Sequence, residues 1–295
     1  MFGKVMAFPV RQDLRDWATQ YWNILLGRRV DAKADAWLVG PIGQIGEDAA
    51  GFVERVARER GLRIERGRPG AGLVESLEDW GVAVRPAIAE FYRHTADYGF
   101  SVRTSWRPVF GPLGYLVAHL FSRRVQQLNV PRDGAVEFDT EIIKLVREDG
   151  EPEFTIWHRS LRETGEVVFC GIYASCRIPS GGFCVKAIFP LPQGNATVLF
   201  RPEVDARGNL RLVGSGRKDG DPGFYFLVED GRGCLWKHHL PSLQQTLYVA
   251  EREDGSLEAE HVLGLWSLDV FRMTYAIAKK DMPEERAVAC VKSDG

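Results

Sequence analysis

The chain predicts an α+β protein, mainly an antiparallel β-barrel or wrapped sheet of about eight to ten strands with amino-terminal helices packed outside it. Three observations predict this. From Ala135 onward, apolar and polar residues alternate with a period of two. The candidate strands are separated by junctions of about two to five residues, which suit antiparallel neighbours and are too short for parallel crossovers. A meander of about ten strands strains an open sheet, and closure disposes of the exposed edges. The expected organisation is a helical region over 1–130, a barrel-like region over 131–280 and a disordered tail over 281–295, polar and without periodicity.

Taken in order, the elements begin with a helix between Leu14 and Leu26. There Leu14, Trp17, Ala18, Tyr21, Trp22, Leu25 and Leu26 recur at helical spacing and Asp13 can cap the start. A second helix follows Gly46 and ends at Gly61, with Phe52, Val53 and Val56 on one face. Residues 66–72 read as a linker, and a third helix starts near Pro86, at a position that proline tolerates. Phe100, Val102, Thr104 and Trp106 alternate with polar residues as in a strand, and 113–125 returns to helical spacing. Candidate strands then cover 136–147, 153–161, 166–178, 183–189, 196–201, 209–214, 223–229, 233–239, 245–252 and 257–264. Residues 265–280 suit either element and are read as a final strand.

Composition bounds the function. The 295 residues carry 38 basic and 40 acidic side chains, a formal charge of −2. No basic stripe is available for a phosphate backbone, so nucleic acid is not an expected partner. The first residues turn polar at Arg11, too early for a secretory signal, and no apolar run approaches the roughly 18 residues that cross a bilayer. A cytoplasmic protein with no membrane span is expected. Cys170, Cys176, Cys184, Cys234 and Cys290 form no Cys-x-x-Cys pair and are expected to be reduced, with no metal bound.

Several strands are apolar on both faces, notably 167–174, 224–228 and 247–250, so each needs two covers. One face can line a barrel lumen and the other can lie under the amino-terminal helices. Trp157, Tyr173, Tyr225, Trp236, Tyr248 and Trp266 are the expected aromatic lining of a ligand pocket. His158, His238 and His261 lie on predicted strands, where a lumen-facing imidazole can move a proton near neutral pH. His238 and His239 are adjacent on a strand and point to opposite faces, so they cannot hold one ion together.

Other motifs carry less. Gly214-Ser215-Gly216-Arg217-Lys218-Asp219-Gly220 looks like a phosphate loop but is followed by a turn and a strand, with no helix amino terminus to receive a phosphate. Glu137, Asp139 and Glu141 share one strand face and read as charged barrel exterior. No Gly-x-Ser-x-Gly elbow occurs.

The string from Leu120 to Pro131, with Phe91-Tyr92-Arg93-His94-Thr95 and the stretch from Trp106 to Leu116, resembles a group of bacterial proteins associated with actinobacterial polyketide gene clusters. The resemblance covers roughly residues 90–280 and brings no catalytic signature. It implies a cofactor-free cyclase or isomerase that promotes cycloaddition or conjugate addition on a large, mostly apolar molecule held in a barrel. The alternative is a lipid or polyketide carrier that does no chemistry. No cofactor is expected in either case, the partner is an apolar small molecule, and nothing in the sequence sets the oligomeric state.

Overall fold

A computed structural model describes residues 14–74, 81–106, 136–162, 167–266 and 268–280. Three helices, α1 (Leu14–Leu26), α2 (Ala49–Arg60) and α3 (Pro86–Arg93), lie in the first third of the chain. The strands there are β1 (Arg28–Arg29), β2 (Arg63–Glu65) and β3 (Tyr98–Trp106). The sheet region contributes β4 (Val136–Val146), β5 (Pro152–Leu161), β6 (Val167–Arg177), β7 (Phe183–Leu191), β8 (Gly194–Val204) and β9 (Leu210–Gly214). It ends with β10 (Phe224–Glu229), β11 (Leu235–His239), β12 (Leu243–Glu251), β13 (Leu257–Leu265) and β14 (Leu268–Lys279). The expected helix over 113–125, the string at 120–131, the Asp13 cap, Cys290 and the tail fall outside the described residues.

Ten strands close into an antiparallel barrel in the order β8, β7, β6, β5, β4, β3, β14, β13, β12, β9, and β9 returns to β8. Closure returns the last strand to the first, as the turn spacing predicted, although the β8–β9 and β3–β4 ladders are short. The remaining strands lie outside the ring. β2 adds to β4, and β10, β11 and β1 form a flap on β8. One edge of β8 is divided between two partners: Gly194–Val198 pairs with β10 and Arg201–Val204 with β9. The seam of the barrel therefore splits where β10 leads away.

The helices take three different positions. α2 is capped by the Asp48 carboxylate, which accepts from the Gly51 amide at 2.7 Å, and it ends at Gly61 in the left-handed region with φ 65°. Its apolar face, with Phe52, Val53 and Val56, covers the outer side of β4, β5 and β6 at Ile143, Leu145, Ile156 and Ile172. α3 instead closes one end of the barrel: Ile88, Phe91 and Tyr92 pack among the lumen-facing Phe100, Ile142 and Trp157. α1 lies against β10 and β11. Its polar side meets the sheet, with Asn23 1 % exposed, while Trp17, Tyr21, Leu25 and Leu26 face outward. The helix lies outside the sheet, as expected, but of its aromatic residues only Trp22 reaches the strands, at Phe226 and His238. Gly27 follows the helix at a position where only glycine fits, because a Cβ there would stand 2.4 Å from the Asn23 and 2.5 Å from the Lys237 carbonyl oxygen.

A strap between α1 and α2 covers the outer side of the β7, β8 and β10 region. Leu38 and Trp37 pack on Cys184, Leu199, Tyr225 and Leu227. The buried Lys186 ammonium donates to the carbonyls of Trp37 at 3.0 Å and Val39 at 2.9 Å. A second tie joins Lys237, 2 % exposed, to Asp35 and Asp219, each at 2.8 Å, and Arg28 bridges the same two carboxylates at 2.9 Å. Four charges thus neutralise one another where the strap crosses the flap.

Candidate functional site

The barrel encloses a cavity of about 690 Å³, within the range of roughly 300–1,000 Å³ that small-molecule sites occupy. Strand parity decides what lines it. On β5 the odd residues Thr155, Trp157 and Arg159 point inward, on β7 Val185, Ala187 and Phe189, and on β8 Ala196, Val198 and Phe200. On β12 Gln245, Leu247 and Val249 point inward, on β13 Ala259, His261 and Leu263, and on β14 Phe271, Met273 and Tyr275. The α3 side chains Phe91 and Tyr92 form one end wall. At the split seam the wall is completed by Phe224, Phe226, Leu240 and Trp22. Trp22 is 40 % exposed, so the cavity meets the surface at its side chain, and the exposed Glu151 at the β4–β5 turn also stands on the lining.

Most of this lining is hydrocarbon or aromatic, and a few polar groups stand inside it. The Arg159 guanidinium lies 3.6 Å from the Trp157 ring centre, with Phe100 at 5.3 Å and Tyr275 at 5.7 Å. Stacking on an indole face is the geometry that lets a guanidinium stay charged in an apolar setting. It also hydrogen bonds with the Tyr275 hydroxyl. Across the lumen, His261 Nε2 is 3.0 Å from Gln245 Oε1. The amide oxygen can only accept, so Nε2 carries the hydrogen and Nδ1 keeps its lone pair.

Burial, reinforced by the nearby Arg159 charge, pushes the His261 pKa down to about 4, so the ring is neutral at pH 7. The Tyr173 and Tyr275 phenols are raised above their ordinary range, chiefly by burial. One fixed cation, one neutral imidazole, an amide and the three protonated phenols of Tyr92, Tyr173 and Tyr275 therefore face a largely apolar space, with Glu151 and Glu153 also on its lining. Such a set can donate hydrogen bonds to a carbonyl or enolate oxygen and can take up a proton at one atom, His261 Nδ1.

Of the residues expected at this site, the structure brings together Trp157, Tyr173 and His261. The others lie elsewhere, mostly because strands that are apolar on both faces hide their parity. Tyr225 points away from the lumen, its hydroxyl donating to the Asp221 carbonyl at 2.7 Å and accepting from the Gly220 amide at 3.0 Å. Tyr248 also points outward, bonded to Asp205 and Asn209, each at 2.8 Å. Trp236 donates to Asp230 on the flap at 2.9 Å, and Trp266 is 69 % exposed in the β13–β14 turn. Tyr225, Tyr248, Trp236 and Trp266 are therefore not cavity lining.

His158 follows Trp157 and so faces the opposite side of β5, where it lies near Glu141 and burial lowers its pKa. His238 sits under α1, with Nδ1 2.9 Å from Asn23 Oδ1 and the Trp22 ring 4.8 Å away. Neither histidine reaches the cavity. His239 stacks on Tyr225 at 4.6 Å, on the other face of β11 from His238, as adjacency on a strand requires. Asp139 is exposed and paired with Arg162 on the barrel exterior. Among the described residues no group of three or more His, Cys, Asp and Glu side chains is placed to hold a metal ion.

Sequence reasoning missed Arg159, Gln245, Tyr275 and the α3 pair Phe91 and Tyr92. One signal was present for Arg159: two residues after an inward tryptophan on a strand, it must share the inward face.

The fold and site together define a closed antiparallel barrel enclosing a largely apolar cavity with one polar cluster. No family model, curated protein or solved structure matches the chain. Among the described residues no helix is long and apolar enough to cross a membrane.

Proposed function

We propose that the protein takes one large, mostly apolar small molecule into its barrel and promotes cyclisation or isomerisation of that molecule without a cofactor. The observation that carries this reading is the convergence of Arg159, Tyr275, His261 and Gln245 inside an otherwise apolar cavity. Confinement removes conformational entropy from the barrier of an intramolecular reaction. Arg159 and the phenols polarise a carbonyl at the reacting end, and His261 Nδ1 accepts a proton where the reaction releases one. The resemblance to proteins of polyketide gene clusters suggests the substrate class, a linear polyene or polyketide bearing a carbonyl.

One observation favours the second reading, a carrier. A general base is most effective with a pKa near the working pH, and His261, at about 4, is a weak one. The two readings separate in one set of measurements. An apolar fluorescent dye titrated into the pure protein is expected to bind once per chain, and Ala187→Trp, which adds an indole to the lumen, is expected to abolish binding in protein whose folding is checked by melting. Dye binding that survives Ala187→Trp rules out the cavity as the site. Conversion of a linear polyene ketone, slowed by His261→Asn and by Arg159→Gln while dye binding persists, supports the enzyme. Binding of that ketone without conversion by the intact protein supports the carrier.

A further inference from the structure

The orientation of α1 is the least economical feature of the molecule. A helix on a protein surface normally buries its apolar stripe, but α1 buries Asn23, and Gln20 Nε2 donates to the Pro192 carbonyl at 3.2 Å. Outward stand Trp17, Tyr21, Leu25 and Leu26, with Leu25 81 % exposed and the Trp17 and Tyr21 rings 4.1 Å apart. Positions 17, 21 and 25 form one row along the helix, and 18, 22 and 26 the next. From Trp17 to Leu26 the helix has no charged side chain.

A second patch lies on a different element. Trp266 and Leu268 are exposed in the β13–β14 turn, and the Trp266 amide donates to the Ser242 carbonyl at 2.7 Å. Both patches adjoin the cavity opening. Trp22, in the second of these rows, lines the cavity, as do Leu265 and Ser242 beside the turn.

We propose that these two patches form a docking face for the headgroup region of a lipid bilayer, seating the barrel mouth on the membrane without spanning it. Area, charge and composition select this occupant. The α1 face is small: about 20 Å long and about 10 Å wide, it offers roughly 200 Å², and the two further exposed side chains, Trp266 and Leu268, leave the sum short of the about 800 Å² per partner of a stable dimer. The absence of charge from Trp17 to Leu26 gives no complementarity to an acidic or basic protein. Tryptophan and tyrosine mixed with leucine is the composition that settles at the membrane interface, where a ring has one apolar and one polar end. The docking face stands independently of what fills the lumen; its place at the mouth would let an apolar molecule pass between bilayer and barrel without crossing water.

The test uses the full chain and phosphatidylcholine vesicles in a flotation gradient. The wild-type protein is expected to float with the vesicles and to stay bound in high salt, because charge does not hold it. Trp17→Ser combined with Leu25→Ser is expected to lower partitioning about tenfold or more, since each substitution removes a large apolar contact, and Trp266→Ser severalfold. These side chains are exposed, so melting should be unchanged and serves as the control for folding. Failure of the wild type to float, or equal flotation of the double variant, overturns the proposal. It is equally overturned if sedimentation velocity shows a concentration-dependent dimer that the double variant abolishes, because the occupant is then a second copy.

Discussion

His261 gives the molecule a pH dependence that can be worked out from its surroundings. The ring is buried in the barrel beside Gln245 and within reach of the Arg159 charge, and its pKa falls from 6.5 to about 4 on folding. A folded-state pKa below the unfolded value means that the unfolded chain takes up the proton first as pH falls. The contribution is therefore fully present above about pH 6.5, is lost through the window down to about pH 4, and is gone below it. A drop from 6.5 to about 4 corresponds to about 3 kcal/mol in total, most of which is lost by about pH 4.5. The perturbation is His261→Gln, which cannot titrate. Urea unfolding of both proteins at about pH 7.5 and about pH 4.5 should show the wild type losing roughly 2 to 3 kcal/mol more than the variant. His158, His238 and His239, whose pKa values burial also lowers, titrate in both proteins and cancel from the difference. Equal losses in the two proteins would refute the placement of a neutral, buried imidazole at this position.

Three further outcomes follow from the outer layers. Lys237→Met should leave the Asp35 carboxylate, 1 % exposed, short of its closest cation, and cost about 3 kcal/mol in chemical denaturation. Arg55→Met removes a guanidinium that joins Glu47 at 2.7 Å, Glu59 at 2.9 Å and the Ile42 carbonyl at 2.7 Å, and should lower stability by about 2 kcal/mol or more while leaving dye binding intact. Gly61→Ala forces a Cβ into the left-handed region at the end of α2 and should cost about 1 kcal/mol, read as a small drop in melting temperature.

The strands were legible because their boundaries are written in turn residues. Glu148-Asp149-Gly150, for example, separates β4 from β5, with Gly150 at φ 88°. Which face of each strand turns inward was not legible where both faces are apolar. In Phe224-Tyr225-Phe226-Leu227 either set can fill a barrel, and the phenylalanines do. The polar members of the site were hidden for the opposite reason. Arg159 and Gln245 are polar side chains that by themselves read as solvent-facing, and for Arg159 only the parity it shares with Trp157 argues otherwise. The position of α1 was hidden because its periodicity defines an apolar stripe but not the direction in which that stripe points.

The split seam ties fold to function most directly. A barrel closed by full-length ladders admits a ligand only at its ends or by breaking hydrogen bonds, and here α3 blocks one end. β9 holds β8 only over Arg201–Val204, and β12 meets β9 only from Gln245 onward. Beyond those residues the wall is made of side chains from Phe224, Phe226, Leu240 and Trp22, which change rotamer on a timescale far shorter than a ladder opens. Entry through this seam predicts that Trp22→Ala speeds both association and dissociation of a bound dye by similar factors. Stopped-flow mixing would read the two rates, and the equilibrium affinity should change little because the substitution removes a gate at the rim and leaves the polar cluster intact. Unchanged rates would place the entrance elsewhere on the barrel. A rise in the dissociation rate alone would make Trp22 part of the binding surface, with its edge-on contacts to Phe226 at 6.4 Å and His238 at 4.8 Å serving to hold the occupant rather than to admit it.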